Sequence, residues 1–167
     1  FLDQTPVLKS PNVQPPRMSK PKSDVIIDFE FSQVIIKQSS QTDEIKSFLN
    51  SYHYAGIGRT AKIFYVVELE NKIVAVVKFA TPVRQGIAGT LNLTDSEVLE
   101  LDRFCIDPLY QKKNFASWLT SRIIKLIKKD FVDIKSLVSF ADPQFGHSGS
   151  MYKAANWTEV GTTAKSY

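Results

Sequence analysis

The sequence predicts an α+β fold with a mixed, mostly antiparallel central sheet and flanking helices. Three observations predict it. Short β-branched runs and an apolar hairpin fill the first half, a strand at 98–106 runs into an amphipathic helix, and strands then alternate with helices to the end. At 167 residues the chain suits one domain and can bury a core without a disulfide or metal. Its 43% apolar and 23% charged residues exclude a disordered chain, a collagen-like repeat and a coiled coil. No apolar run approaches the roughly 18–20 residues that span a bilayer, so no membrane partner is expected.

The elements follow in order. The chain opens on Phe1, as a processed product or trimmed fragment would. Residues 1–24 hold Pro6, Pro11, Pro15, Pro16 and Pro21 with Lys9, Arg17, Lys20 and Lys22. Proline blocks helix and removes backbone donors, so an extended basic arm is expected there, without the apolar core of a secretory signal, ahead of a domain over 25–167. Val25–Ile27 and Val34–Ile36 read as short strands. The polar run 40–44 supplies N-cap chemistry for a helix carrying Ile45, Phe48 and Leu49. A loop over 51–59 precedes two apolar runs, 62–70 and 73–81, which read as a hairpin turning at Asn71-Lys72. Residues 84–95 read as a loop. Val98–Ile106 is a strand ended by Asp107-Pro108. Phe115–Lys129 is a helix with Phe115, Leu119, Ile123, Leu126 and Ile127 at helical spacing. A strand at 136–141, a short helix at 148–155 and a last strand at 157–163 complete the order.

The charge is mildly basic, with 21 Lys and Arg against 17 Asp and Glu. Its distribution is uneven. Between Gln111 and Lys135 lie Lys112, Lys113, Arg122, Lys125, Lys128, Lys129 and Lys135 against only Asp130 and Asp133. Such a segment suits phosphate or a solvated helix face equally. Lys125, Lys128 and Lys129 are the candidate nucleic-acid contacts. The lone Cys105 cannot form an intrachain disulfide, which allows a cytosolic compartment, and it reads as a buried strand residue.

The informative segment is strand–turn–helix at 98–129. A turn exposing successive amides at a helix start makes an anion site. Gln111, Lys112, Lys113, Asn114, Phe115 and Ala116 form that turn. Asn is the non-glycine residue that best tolerates positive φ, and Ala116 is small enough for a phosphate to approach the backbone. With Gln111, Asn114 and Ala116 so spaced, the segment resembles the acetyl-CoA-binding motif of the GNAT acyltransferase superfamily, with Asn114 standing where that motif has glycine. The resemblance implies a GNAT-like sheet with a splayed strand pair and an acetyl-CoA or related acyl-CoA as cofactor.

The tail narrows the match. Ser139-Phe-Ala-Asp-Pro-Gln-Phe-Gly-His-Ser-Gly-Ser-Met-Tyr152 followed by Trp157 resembles the signature of the bacteriophage Mom family, GNAT-fold enzymes that modify adenine at N6 in phage DNA and protect it from restriction. Leu101-x-Arg103 and His53-Tyr54 resemble further family positions. The resemblance implies DNA as partner and a phage-encoded protein in the cytoplasm of a bacterial host or in the virion. It also implies a catalytic set of Asp142, Tyr152, Arg103, His53 and Tyr54. Tyr152 would protonate a departing thiolate, and Asp142, at a strand end, would serve as base or hold the adenine amino group. Arg103, in an apolar strand, calls for a partner such as Asp142, Glu100 or Glu97, or a substrate phosphate. Tyr52, His53 and Tyr54 suit a nucleobase pocket. No spacing signals a metal, although His53, His147 and Asp142 would make a two-histidine, one-carboxylate set for iron. Two rivals remain: a GNAT enzyme acetylating a protein or small-molecule amine, and a degenerate GNAT fold retained as a structural or DNA-binding virion component.

Overall fold

A computed structural model describes residues 25–140 and 150–159. The elements are β1 (Ile35–Ser39), α1 (Asp43–Tyr52), β2 (Ile63–Leu69), β3 (Lys72–Ala80), α2 (Ile87–Thr90), β4 (Val98–Ile106), α3 (Phe115–Asp130), β5 (Ser136–Val138) and α4 (Ser150–Ala154). The strands form one sheet in the order β1-β2-β3-β4-β5. The first three pairings are antiparallel and β4–β5 is parallel. The α+β class with a mostly antiparallel sheet is therefore as expected. The basic arm at 1–24 lies outside the described residues.

Each element follows from local chemistry. Thr42 caps α1, its hydroxyl accepting from the Ile45 amide. Asp43 and Glu44 sit in the first turn, where the helix dipole favours negative charge. In α3, Phe115, Leu119, Ile123 and Ile127 recur every four residues and are all buried. β2 and β3 are apolar on both faces because helices cover both. Tyr65, Val67 and Val77 join the core under α3, while Phe64, Val66 and Val76 pack with Ile45, Phe48 and Leu49 of α1.

Several expectations are corrected. Val25–Ile27 forms no strand: its side chains are exposed, and the Ile27 amide donates to the Leu109 carbonyl at 2.7 Å. The hairpin turns at Glu70-Asn71, one residue earlier than expected. Both residues have positive φ, 50° and 63°, as a type I′ turn requires. The expected loop at 84–95 contains the single turn α2, whose Ile87 and Ala88 are buried. β5 ends at Val138, well short of residue 141. No strand begins at Trp157–Glu159, and the rest of that expected strand lies outside the described residues.

Two features position the site. β4 pairs with β5 only over Val98–Glu100 against Ser136–Val138. Among the described residues, Leu101–Ile106 have no strand partner on that side, so the sheet opens there. β4 also carries a bulge: Lys78 faces Arg103 and Phe79 faces Leu101, leaving Asp102 as the extra residue.

The turn geometry predicts that the double change Glu70→Asn with Asn71→Gly stabilises the fold by about 1 kcal/mol, since it removes left-handed strain from L-residues. Urea denaturation measures this, and a loss of stability would contradict the assignment.

Candidate active site

The turn between β4 and α3 is built by Asp107, which is buried and caps it by accepting from the Leu109 amide at 3.0 Å. Asn114 follows as the N-cap of α3 at φ 66°, in the left-handed region. This backbone choice turns successive amides outward. The Lys112 amide donates to the Tyr110 carbonyl and the Phe115 amide to the Lys112 carbonyl. Among the described residues, no acceptor takes the amides of Lys113, Asn114, Ala116 or Ser117. The first turn of this 16-residue helix thus presents a row of unpaired donors at its positive end. These residues fit a diphosphate: Lys113 and Asn114 are exposed, Ala116 is small, and no acid stands in the first helical turn.

The flanking side chains divide. The Lys112 ammonium turns to the N-terminal segment, where it pairs with Asp28 and donates to the Phe29 carbonyl at 2.7 Å. That pair holds the Asp28 carboxyl below its usual range. The Gln111 side chain turns back to the Ile106 carbonyl, 3.4 Å away. Phe115 is fully buried and anchors the helix rather than lining the row.

α4 packs against α3 and is tied to the residue after β5. Its Tyr152 packs on the core beside Trp157, ring centroids 5.1 Å apart. The buried Ser139, just past the end of β5, donates its hydroxyl hydrogen bond to the Tyr152 phenolic oxygen at 2.6 Å. Tyr152 is thereby held at the mouth of the split sheet. Asp142 and His147 lie outside the described residues. Of the three residues weighed for iron, only His53 falls inside. Among the described residues no group of three or more His, Cys, Asp or Glu is placed to hold a metal ion.

The other face of the sheet carries the loop after α1. His53 and Tyr54 stack with centroids 4.7 Å apart and an interplanar angle of 24°. His53 Nδ1 accepts from the Ala55 amide at 3.1 Å, so the neutral ring carries its proton on Nε2. The loop is fastened by three successive carbonyls. Arg103 donates to those of Ala55 and Gly56, at 3.2 and 2.9 Å, and the fully buried Lys78 to that of Ile57 at 2.7 Å. Gly58 follows at φ 75°, where a Cβ would lie 2.6 Å from both the Arg103 guanidinium carbon and an Asp102 oxygen. Only glycine lets the loop pass.

Asp102, the bulge residue, neutralises this cluster. Its carboxylate pairs with Arg59 and Lys78, both at 3.1 Å, and with Arg103 at 3.4 Å. Arg59 also pairs with Glu100 at 2.8 Å. Glu100 in turn accepts from the Val83 amide, tying down the loop after β3. Burial pushes the Lys78 ammonium to a lower pKa against the pull of Asp102. Burial raises the Glu100 carboxyl against the Val83 amide and Arg59. Arg103 thus holds the Ala55 and Gly56 carbonyls in this arrangement. Its carboxylate is Asp102, while Glu100 serves Arg59 and Glu97 is turned to Thr94. The sequence reading missed Asp102, Lys78, Arg59 and Ser139. Lys78, a lysine within the apolar strand β3, was the legible signal. Cys105 is buried as expected, its thiol pushed up to about 12 by burial, so it is not a nucleophile.

A sheet that splits after a central strand, with an open row of amides at the head of the following helix, defines the GNAT acyltransferase fold. Solved structures agree. A protein described as a possible acetyltransferase from Clostridium difficile 630 matches with a TM-score of 0.56 at 14% identity, covering 81% of this chain and 97% of its own. Aminoglycoside acetyltransferase AAC(6')-Ib, in complex with coenzyme A, matches at 0.59 and 14%, covering 79% and 88%. The aminoglycoside acetyltransferase meta-AAC0020, from an uncultured soil metagenomic sample and in complex with sisomicin, matches at 0.56 and 11%, covering 81% and 95%. At these identities the likeness concerns the fold. No curated protein matches the chain. The sequence model of the Mom protein family matches residues 33–167, and the chain belongs to that family.

The buried cluster predicts two outcomes. Asp102→Asn leaves Lys78 and Arg103 without their carboxylate and lowers the unfolding free energy by about 3–5 kcal/mol in urea denaturation. Lys78 binds its proton less tightly when folded than at the ordinary value of 10.5, so the unfolded chain holds more protons in that interval and stability rises as pH climbs through it. Lys78→Met abolishes that rise; an unchanged alkaline slope would contradict the assignment.

Proposed function

We propose that the protein is an acyl-CoA-dependent transferase that modifies the N6 amino group of adenine in DNA, as its family membership suggests. The single observation that carries the acyl-CoA half is the set of open amides of Lys113, Asn114, Ala116 and Ser117, without an acceptor among the described residues, beside the split between β4 and β5. Coenzyme A or acetyl-CoA accompanies several of the similar folds, including AAC(6')-Ib. The DNA half is supported by the Mom family match and by the stacked His53-Tyr54 pair.

Bound acyl-CoA supplies an acyl group activated on sulfur. The chain's residues supply the rest. The amides of Lys113, Asn114, Ala116 and Ser117 hold the diphosphate, with the α3 dipole reinforcing them. Tyr152, fixed by Ser139, donates its phenolic proton to the departing sulfur. Asp142 is the sequence's candidate to accept the proton leaving the adenine amine. That amine is a weak nucleophile, since its lone pair is delocalised into the ring, so orientation by the anchored 53–59 loop is required. An adenine inside a duplex is out of reach, so the substrate base is flipped or single-stranded. A protein with this activity would be phage-encoded and act in the cytoplasm of a bacterial host or in the virion.

The test is nucleoside mass spectrometry on DNA from cells expressing the protein. An adduct on deoxyadenosine is expected, and only unmodified deoxyadenosine, with expression and folding confirmed, would refute the DNA half. Acetyl transfer to polyamines or peptides without any DNA adduct would favour an amine acetyltransferase. Tyr152→Phe is expected to lower kcat by about 10²–10⁴-fold. Ser139→Ala should lower it less, because it only frees the phenol to wander, and an equal loss in both would contradict the division of roles.

A further inference from the structure

On the α3 side of the sheet, at its β1 edge, an open groove of about 600 Å³ runs between α3 and the segment entering β1. Its floor is aromatic and aliphatic: Phe31, Val34, Ile36, Trp118 and Leu126. Phe31 and Trp118 pack with ring centroids 5.0 Å apart and planes tilted by 35°. Along one wall stand Arg122, Lys125 and Lys129, all exposed and none ion-paired among the described residues. The Arg122 guanidinium lies 5.5 Å from the Trp118 ring centre. Among the described residues no acid lines the groove. From Trp118 to Lys129 the helix advances roughly 16 Å, at 1.5 Å per residue.

We infer that this groove binds a single-stranded polynucleotide, bases against the Trp118 and Phe31 rings and phosphates against Arg122, Lys125 and Lys129. Cations along one wall of an aromatic floor are the arrangement that recognises such a strand without reading its sequence. Three alternatives fit less well. The chain's own residues 1–24 carry four cations, Lys9, Arg17, Lys20 and Lys22, against Asp3 and Asp24, and would be repelled. The cofactor's nucleotide belongs with the amide row, whereas the groove lies at the β1 edge, opposite the split beside β5. An acidic peptide would satisfy the cations but leave the rings without a planar partner. The groove also redraws the sequence expectation: Lys125 and Lys129 line it, Lys128 does not, and Arg122 and Trp118 join. The inference rests on the DNA half of the proposed function, yet it concerns binding alone.

The experiment follows fluorescein-labelled oligo(dT) by anisotropy with the full-length protein and no acyl donor, together with tryptophan emission. Trp157 is 7% exposed, so quenching reports Trp118. Binding with quenching is expected. Arg122→Glu combined with Lys125→Glu and Lys129→Glu should abolish binding. The three corresponding glutamines should flatten the log–log salt dependence by about 2, at roughly 0.7 per phosphate contact for a single strand. Trp118→Leu should weaken binding about tenfold and remove the quench. The same charge reversal at Lys37, Lys62 and Arg84 should change affinity far less. Binding that survives the groove triple, or no binding at all, overturns the inference. So does duplex bound as tightly without quenching, polyglutamate bound as tightly as the oligonucleotide, or displacement of the strand by coenzyme A. A DNA adduct formed by a groove-triple protein that no longer binds oligo(dT) would leave the proposed chemistry standing; retained binding with no adduct would leave the groove standing.

Discussion

β4 outruns its parallel neighbour. The ladder stops at Glu100 against Val138, while β4 continues to Ile106. A parallel pair that parts in this way leaves backbone groups and a cleft where a continuous sheet would have neither, and the other site features are arranged around it. The turn after β4 delivers the open amides of α3 to one lip. Ser139, at the end of the shorter strand, fixes Tyr152 at the other.

Keeping such a cleft open demands rigidity elsewhere, and the buried charges supply it. The bulge at Asp102 puts two consecutive β4 residues under the 53–59 loop. Their carboxylate and guanidinium, with Lys78 and Arg59, hold three loop carbonyls and a neighbouring carboxylate in fixed places. A buried ion cluster adds little net stability compared with apolar packing, but it fixes one geometry, because every alternative leaves a charge unpaired. That suits a loop carrying the stacked His53 and Tyr54.

The sequence disclosed the scaffold better than the site. α3 was legible because Phe115, Leu119, Ile123 and Ile127 bury one stripe, and β4 because Asp107-Pro108 ends it. The hairpin was legible to within a residue; its turn was misplaced because Glu70 adopts positive φ, which its side chain does not favour. Val25–Ile27 looked like a strand because β-branching is a local property, whereas pairing is not. Of the site, Asn114 was read correctly as a left-handed residue. Asp102 as a partner of Arg103 was not foreseen, since a bulge that brings Asp102 and Arg103 to the same loop breaks the alternation on which strand reasoning depends. Ser139 became significant only through its distance to Tyr152, which no spacing in the sequence encodes.

The claim that most needs testing is that the head of α3 receives a diphosphate. Titrating 15N-labelled protein with coenzyme A and following its backbone amides tests it directly. The account predicts saturable shifts centred on Lys113, Asn114, Ala116 and Ser117. Saturation that leaves those four amides unmoved, or no binding by a folded protein, would contradict it.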